Sequence, residues 1–124
     1  MMKHILLVDD DQLMHRLFQH HLQKAGYQML SAMNGHDAIE VASRQHPDVI
    51  VMDIMMPGID GLAVLRELKK ADATKSIPVI IITANSHVMA GKESETAGAA
   101  IFLTKPFSPT QLLHEIRRLV PPTD

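Results

Sequence analysis

The chain has 124 residues, 46% of them hydrophobic and 21% charged, with a formal net charge of -2. That is the size and composition of one soluble domain spanning 1–124, without a basic stripe for nucleic acid or an apolar run near the roughly 20 residues of a membrane helix. It contains no cysteine, which excludes disulfides and thiolate metal sites and fits a reducing, cytoplasmic setting.

Short runs rich in Val and Ile alternate with stretches of helical period. The alternation predicts a single doubly wound (βα)5 domain of the α/β class, a parallel five-stranded sheet with helices on both faces. The first predicted strand is His4 to Val8, and Asp11 is placed to cap the helix after it. Leu13, Met14, Leu17, Phe18, His21, Leu22 and Ala25 give that helix an apolar stripe, ended by Gly26. Tyr27 to Ala32 is a more polar strand, suited to a sheet edge. Asn34-Gly35 starts a second helix, and His46-Pro47 ends it, because a residue before proline avoids helical geometry. Asp48 to Met52 is a strand buried on both faces, closed by Asp53. The stretch from Ile54 to Gly61, with Pro57-Gly58 and Asp60-Gly61, is a loop. A third helix carries Leu62, Val64, Leu65 and Leu68. Val79 to Ile82 is the fourth strand, ending in Thr83. Ala84 to Gly98 predicts a short, loosely packed helix. Ala100 to Thr104 is the fifth strand, and a last helix begins at Ser108 or Pro109 and stops at Pro121-Pro122.

In an open parallel sheet of order 2-1-3-4-5, ligands bind beyond the carboxyl ends of the strands, where the strand order reverses. Asp9, Asp10, Asp53, Thr83 and Lys105 would all emerge at that edge. Neighbouring carboxylates repel one another, so the cluster implies a divalent cation. Asp10 and Asp53 can give oxygens to Mg2+, Asp9 can bind through a water, and the backbone carbonyl of Met55 can add a ligand. Asp53 can then attack phosphorus and become an aspartyl phosphate. Lys105 neutralises charge on the transferring oxygens, and Thr83 can donate its hydroxyl to one of them. The peptide before Pro106 is a candidate for the cis form, which would aim Lys105 inward. Asp11, Asp37, Asp60 and Asp72 read as turn or cap residues. The histidines show no metal-ligand spacing and read as surface or stripe-edge residues, and the nine methionines as core filler.

Four blocks carry a family signature: Leu7-Val8-Asp9-Asp10-Asp11, the run Asp53 to Gly61, Ile82-Thr83-Ala84, and Lys105-Pro106-Phe107. In this order and spacing the chain resembles the receiver domain of bacterial two-component response regulators. The resemblance implies that Asp53 is loaded from a phosphohistidine of a sensor histidine kinase or a histidine phosphotransfer protein. It implies that Asp9 and Asp10 are the metal-binding acid pair. Thr83 would be the switch hydroxyl, Lys105 the phosphate-binding lysine and Phe102 the switch aromatic. An output domain or protein partner would read the Ala84–Val120 face, with slow autodephosphorylation and no direct contact with nucleic acid or membrane. Ala100 and Ile101 stand where many DNA-binding members carry acidic residues for dimer salt bridges. Ile101, Val88 and Met89 would instead offer an apolar docking surface. Met55 and Asn85 occupy positions that influence phosphate lifetime in the family.

Other classes fit less well. A metal-dependent phosphohydrolase wants a second carboxylate two residues after the nucleophile, where this chain has Met55. A flavin module would have to place its phosphate against Asp9-Asp10-Asp11, which would repel it. A receiver-like docking module that is never phosphorylated would not need the complete acidic set.

Overall fold

The computed structural model describes residues 2–54, 61–83, 98–104 and 108–122, apart from the side chains of Phe102 and Thr104. Along them run β1 (Lys3–Val8), α1 (Gln12–Lys24), β2 (Tyr27–Ala32), α2 (Gly35–Gln45), β3 (Val49–Asp53), α3 (Gly61–Lys70), β4 (Val79–Thr83), β5 (Ile101–Thr104) and α4 (Pro109–Leu119). The strands β2-β1-β3-β4 lie in that order, all parallel, and the short β5 pairs with the far edge of β4. Among the described residues there are four helices. The helix predicted after β4 falls on residues 84–97, outside the described residues. No helix of the described residues is long and apolar enough to cross a membrane.

The unbroken apolar runs explain why β3 and β4 occupy the centre. Every residue of both strands is buried, so each strand needs cover on its two faces. The period of two along a strand then sorts the side chains into two cores. Leu6, Val8, Ile50, Met52 and Ile81 pack with Ala38, Ala42, Leu65 and Leu68 of α2 and α3. Ile5, Leu7, Val51, Ile80 and Ile82 pack with Phe18, Leu22, Leu112 and Ile116 of α1 and α4. β2, with the exposed polar residues Gln28 and Ser31, takes the edge.

The helix starts are chemical. Asp11 accepts the Leu13 N–H at 2.9 Å, Asn34 accepts the Asp37 N–H at 2.8 Å, and Ser108 accepts the Gln111 N–H at 3.1 Å. Each cap contributes about 1 kcal/mol by satisfying a donor with no partner inside the helix. Gly26 follows α1 at φ +92°, the left-handed conformation that glycine tolerates. His46, barred from the right-handed helical region by Pro47, takes φ +48°. Asp48 lies just outside β3. Its N–H donates to the His4 carbonyl and its carboxylate accepts the His4 N–H, both at 2.8 Å. Between α3 and β4, Lys69 Nζ donates to the Ile77 carbonyl at 2.6 Å, and burial holds this ammonium below its ordinary pKa.

The inner face of α1 differs from the expected stripe. Leu13 is 71% exposed and Leu17 48% exposed, whereas His15 is only 7% exposed. Inward residues fall at His15, Phe18 and Leu22, a narrower stripe rotated toward the histidine. The surface reading of the histidines is therefore corrected at His15. The physical reason is that this imidazole finds polar partners inside, described below.

Tyr27, the only tyrosine, is buried and donates its hydroxyl to the Val120 carbonyl at 2.7 Å, tying the start of β2 to the end of α4. Burial raises its pKa, and the Arg117 charge lowers it by less. A raised pKa in the folded state means that stability is full below the unfolded value and is lost as pH climbs from about 10. Tyr27→Phe is expected to cost about 1 kcal/mol at neutral pH and to remove that alkaline loss. Urea unfolding at several pH values, with phenolate absorbance as a direct monitor, checks both parts. An unchanged alkaline slope in the variant would contradict this account.

Candidate functional site

The register fixes what meets at the carboxyl edge. Val8 of β1 faces Met52 of β3, so Asp9 comes level with Asp53 on the adjacent strand. Parallel neighbours stand about 4.8 Å apart, which brings the two carboxyl-bearing residues into one small volume. Asp9 is 1% exposed and Asp53 is 5% exposed. On the other side of Asp53, Thr83 ends β4 and is also buried. Ile54 donates its N–H to the Ile82 carbonyl at 3.2 Å, so the chain is still tied to β4 one residue beyond Asp53.

Asp9 is held by hydrogen bonds in three directions. Its N–H donates to the Ala32 carbonyl at 3.1 Å, and its Oδ1 accepts the Asp11 N–H at 3.0 Å. Its carbonyl faces His15 Nε2 at 2.7 Å, while His15 Nδ1 lies 3.0 Å from the Ser31 hydroxyl. A carbonyl oxygen can only accept, so Nε2 carries a hydrogen.

Asp10 is different. Its side chain is exposed, two residues beyond the strand end. Among the described residues, no three carboxylate or imidazole groups converge closely enough to hold an ion by themselves. The expected gathering of Asp9, Asp10 and Asp53 is therefore a buried pair with an exposed third carboxylate at its rim. This donor set still suits Mg2+, which keeps several waters and takes only one or two protein carboxylates. Two buried carboxylates side by side also favour a cation electrostatically. Met55, Pro57, Gly58, Lys105, Pro106 and the side chain of Phe102 lie outside the described residues.

His15 is the residue that sequence reasoning missed. The signal was its spacing, since His15, Phe18 and Leu22 stand at i, i+3 and i+7.

Aspartates on adjacent strand ends, a buried threonine on the next strand and an open parallel sheet form a combination shared with known proteins. Residues 5–117 match the family described as "Response regulator receiver domain". The chain belongs to that family. It is 38% identical over 119 residues to protein PilH of Pseudomonas aeruginosa, covering 96% of this chain and 98% of PilH. The receiver domain also superposes on the Vibrio cholerae chemotaxis protein CheY4 with a TM-score of 0.90 at 30% identity, covering 97% of this chain and 100% of that one. A third similar structure is the receiver domain of sensor histidine kinase PA1611 from Pseudomonas aeruginosa, which has a magnesium ion in its active-site cleft. It aligns at 30% identity with a TM-score of 0.84, over 94% of this chain and 96% of that one. The chain spans about half the length, or less, of the first curated relatives it matches. This receiver domain is a regulatory domain rather than a conventional enzyme, a phosphoacceptor switch in two-component signalling.

Proposed function

We propose that Asp53 is the phosphoacceptor of this receiver domain. The observation that carries the assignment is its place: a buried carboxylate closing the central strand β3, level with Asp9 on β1 and beside β4, which ends in Thr83. A carboxylate oxygen of Asp53 attacks phosphorus of a phosphohistidine on a sensor kinase or phosphotransfer protein. The phosphorus–nitrogen bond breaks, and the leaving imidazole nitrogen takes a proton. Asp9, Asp10 and Asp53, with the Met55 carbonyl, would hold Mg2+. When bound, Mg2+ supplies positive charge to the transferring oxygens. Thr83 donates its hydroxyl to the new phosphoryl group and Lys105 pairs with it, while Pro57-Gly58 and Pro106 shape the surrounding loops.

The acquired charge, about two negative units, then biases a two-state region that includes Thr83 and Phe102. The reader is an output domain or protein partner docked on the Ala84–Val120 face, with no nucleic acid or membrane bound by this domain. The domain completes a (βα)5 architecture over 1–124, works in the cytoplasm and loses its phosphate slowly by its own chemistry.

The test is intact mass after incubation with acetyl phosphate, with Mg2+ or with a chelator. The expected result is one phosphoryl adduct that needs Mg2+ and is missing from Asp53→Asn. A wild-type protein that takes up no phosphate in Mg2+ would overturn the assignment.

A further inference from the structure

We propose that His15 is a positioning residue for the Mg2+-binding carboxylates, acting through the backbone of Asp9. The inference rests on Asp9 being a ligand, direct or through water, of the ion proposed above.

The carbonyl of Asp9 lies one residue beyond β1. A buried carbonyl in such a place needs a partner, and the partner is His15 Nε2 at 2.7 Å. That bond joins the first helix to the end of the first strand. Its length is at the short end of the range for N–H···O contacts. The other ring nitrogen reaches Ser31 Oγ at 3.0 Å, so the imidazole is oriented from its far side by β2. With a neutral ring, Nδ1 accepts the Ser31 O–H and the imidazole is fixed in the Nε2–H form.

The consequence lies in how Asp9 is oriented. Its N–H is held by Ala32, its Oδ1 by the Asp11 N–H and its carbonyl by His15. The first two bonds hold the peptide between Asp9 and Asp10 from the strand and from the Asp9 side chain, but neither touches its carbonyl, and that peptide sets where both acidic side chains project. His15 fixes the carbonyl itself and so the tilt of that peptide. The helix supplies the grip with a rigid side chain on the inward stripe that also carries Phe18 and Leu22. A leucine of similar bulk would fill the space but hold nothing. A glutamine can place an amide N–H close to where Nε2–H sits. Partners of this outer kind typically change metal affinity by about 10- to 100-fold when lost.

The experiment measures Mg2+ affinity directly, by titration calorimetry on the unphosphorylated protein, for wild type, His15→Leu, His15→Gln and Ser31→Ala. The Asp10 amide resonance is followed in parallel, because its N–H belongs to the peptide whose carbonyl His15 holds. His15→Leu is expected to weaken Mg2+ binding by about tenfold and to shift and broaden the Asp10 amide. His15→Gln should recover affinity to within about threefold of wild type, and Ser31→Ala should fall between wild type and His15→Leu. Wild-type affinity in His15→Leu overturns the proposal, as does equal loss in His15→Leu and His15→Gln. If His15→Leu does not fold, the comparison of His15→Gln with Ser31→Ala decides. A wild-type Asp10 amide and wild-type affinity in Ser31→Ala, together with tenfold loss in His15→Gln, would reject the relay. A wild type that binds no Mg2+ also rejects it. Because the readout precedes phosphorylation, a protein whose Mg2+ affinity depends on His15 but which takes up no phosphate separates this inference from the acceptor assignment.

Discussion

Asp9→Asn is expected to abolish the stabilisation of this receiver domain by Mg2+. A ligand that binds only the folded state adds about 2.7 kcal/mol when present at 100 times its dissociation constant. For a chain of this size that amounts to a rise of about 10 °C in the unfolding midpoint. In Asp9→Asn the rise should shrink to under about 1 °C. The sign without metal is opposite. Asp9 and Asp53 are both buried and level with each other on neighbouring strands. Replacing one charge by a neutral amide relieves their repulsion, so the variant in chelator should be at least as stable as wild type. Thermal unfolding of both proteins with and without Mg2+ checks the pair of expectations. A variant that gains as much from Mg2+ as wild type would move the ion away from Asp9.

Gly61→Ala should destabilise the domain by about 2 kcal/mol, in the range of overpacked cores. Gly61 opens α3, and alanine is ordinarily the better helix former by about 1 kcal/mol. Helix propensity alone would therefore predict a gain. The space decides against it. A Cβ at Gly61 would stand 2.5 Å from Ile54 Cα and 2.8 Å from Ile54 Cβ. The first of these is a backbone atom and cannot rotate away. Relief requires α3 or the end of β3 to shift, and Ile54 directly follows Asp53. The variant should thus lose both stability, read by urea unfolding, and rate of phosphoryl uptake, read by mass. A variant as stable as wild type would show that the two segments separate more easily than this contact implies.

Much of this was legible in the sequence because it depended on local chemistry. Val49 to Met52 and Val79 to Ile82 are apolar without interruption, and only a strand covered on both faces uses such a run. Asp11, Asn34 and Ser108 cap their helices with side chains that have few other uses at those places. Asp9, Asp53 and Thr83 could be brought to one edge because parallel strands share a direction. The errors lie where identity and environment part. Leu13 and Leu17 read as inward for being apolar, yet exposure of single leucines is ordinary. His15 reads as a surface or stripe-edge residue for being polar, yet its burial depends on a carbonyl at Asp9 and a hydroxyl 16 residues away at Ser31. Asp10 continues an acidic run in the sequence but turns outward once the strand has ended. The crowding at Gly61 is likewise tertiary, since nothing in Asp60-Gly61 names Ile54 as the neighbour.

The bond from Tyr27 to Val120 also settles how this domain can be handled. Pro122 sits against the corner before β2, where a Cβ at Gly26 would lie 3.6 Å from Pro122 Cβ. That corner is at the amino ends of the strands, a full strand length of about 17–20 Å from Asp9 and Asp53. A dye, bead or fused reporter attached after residue 122 is thereby moored at the pole opposite the acidic edge. A surface coated with such tethered molecules turns their acidic edge toward the bulk solution.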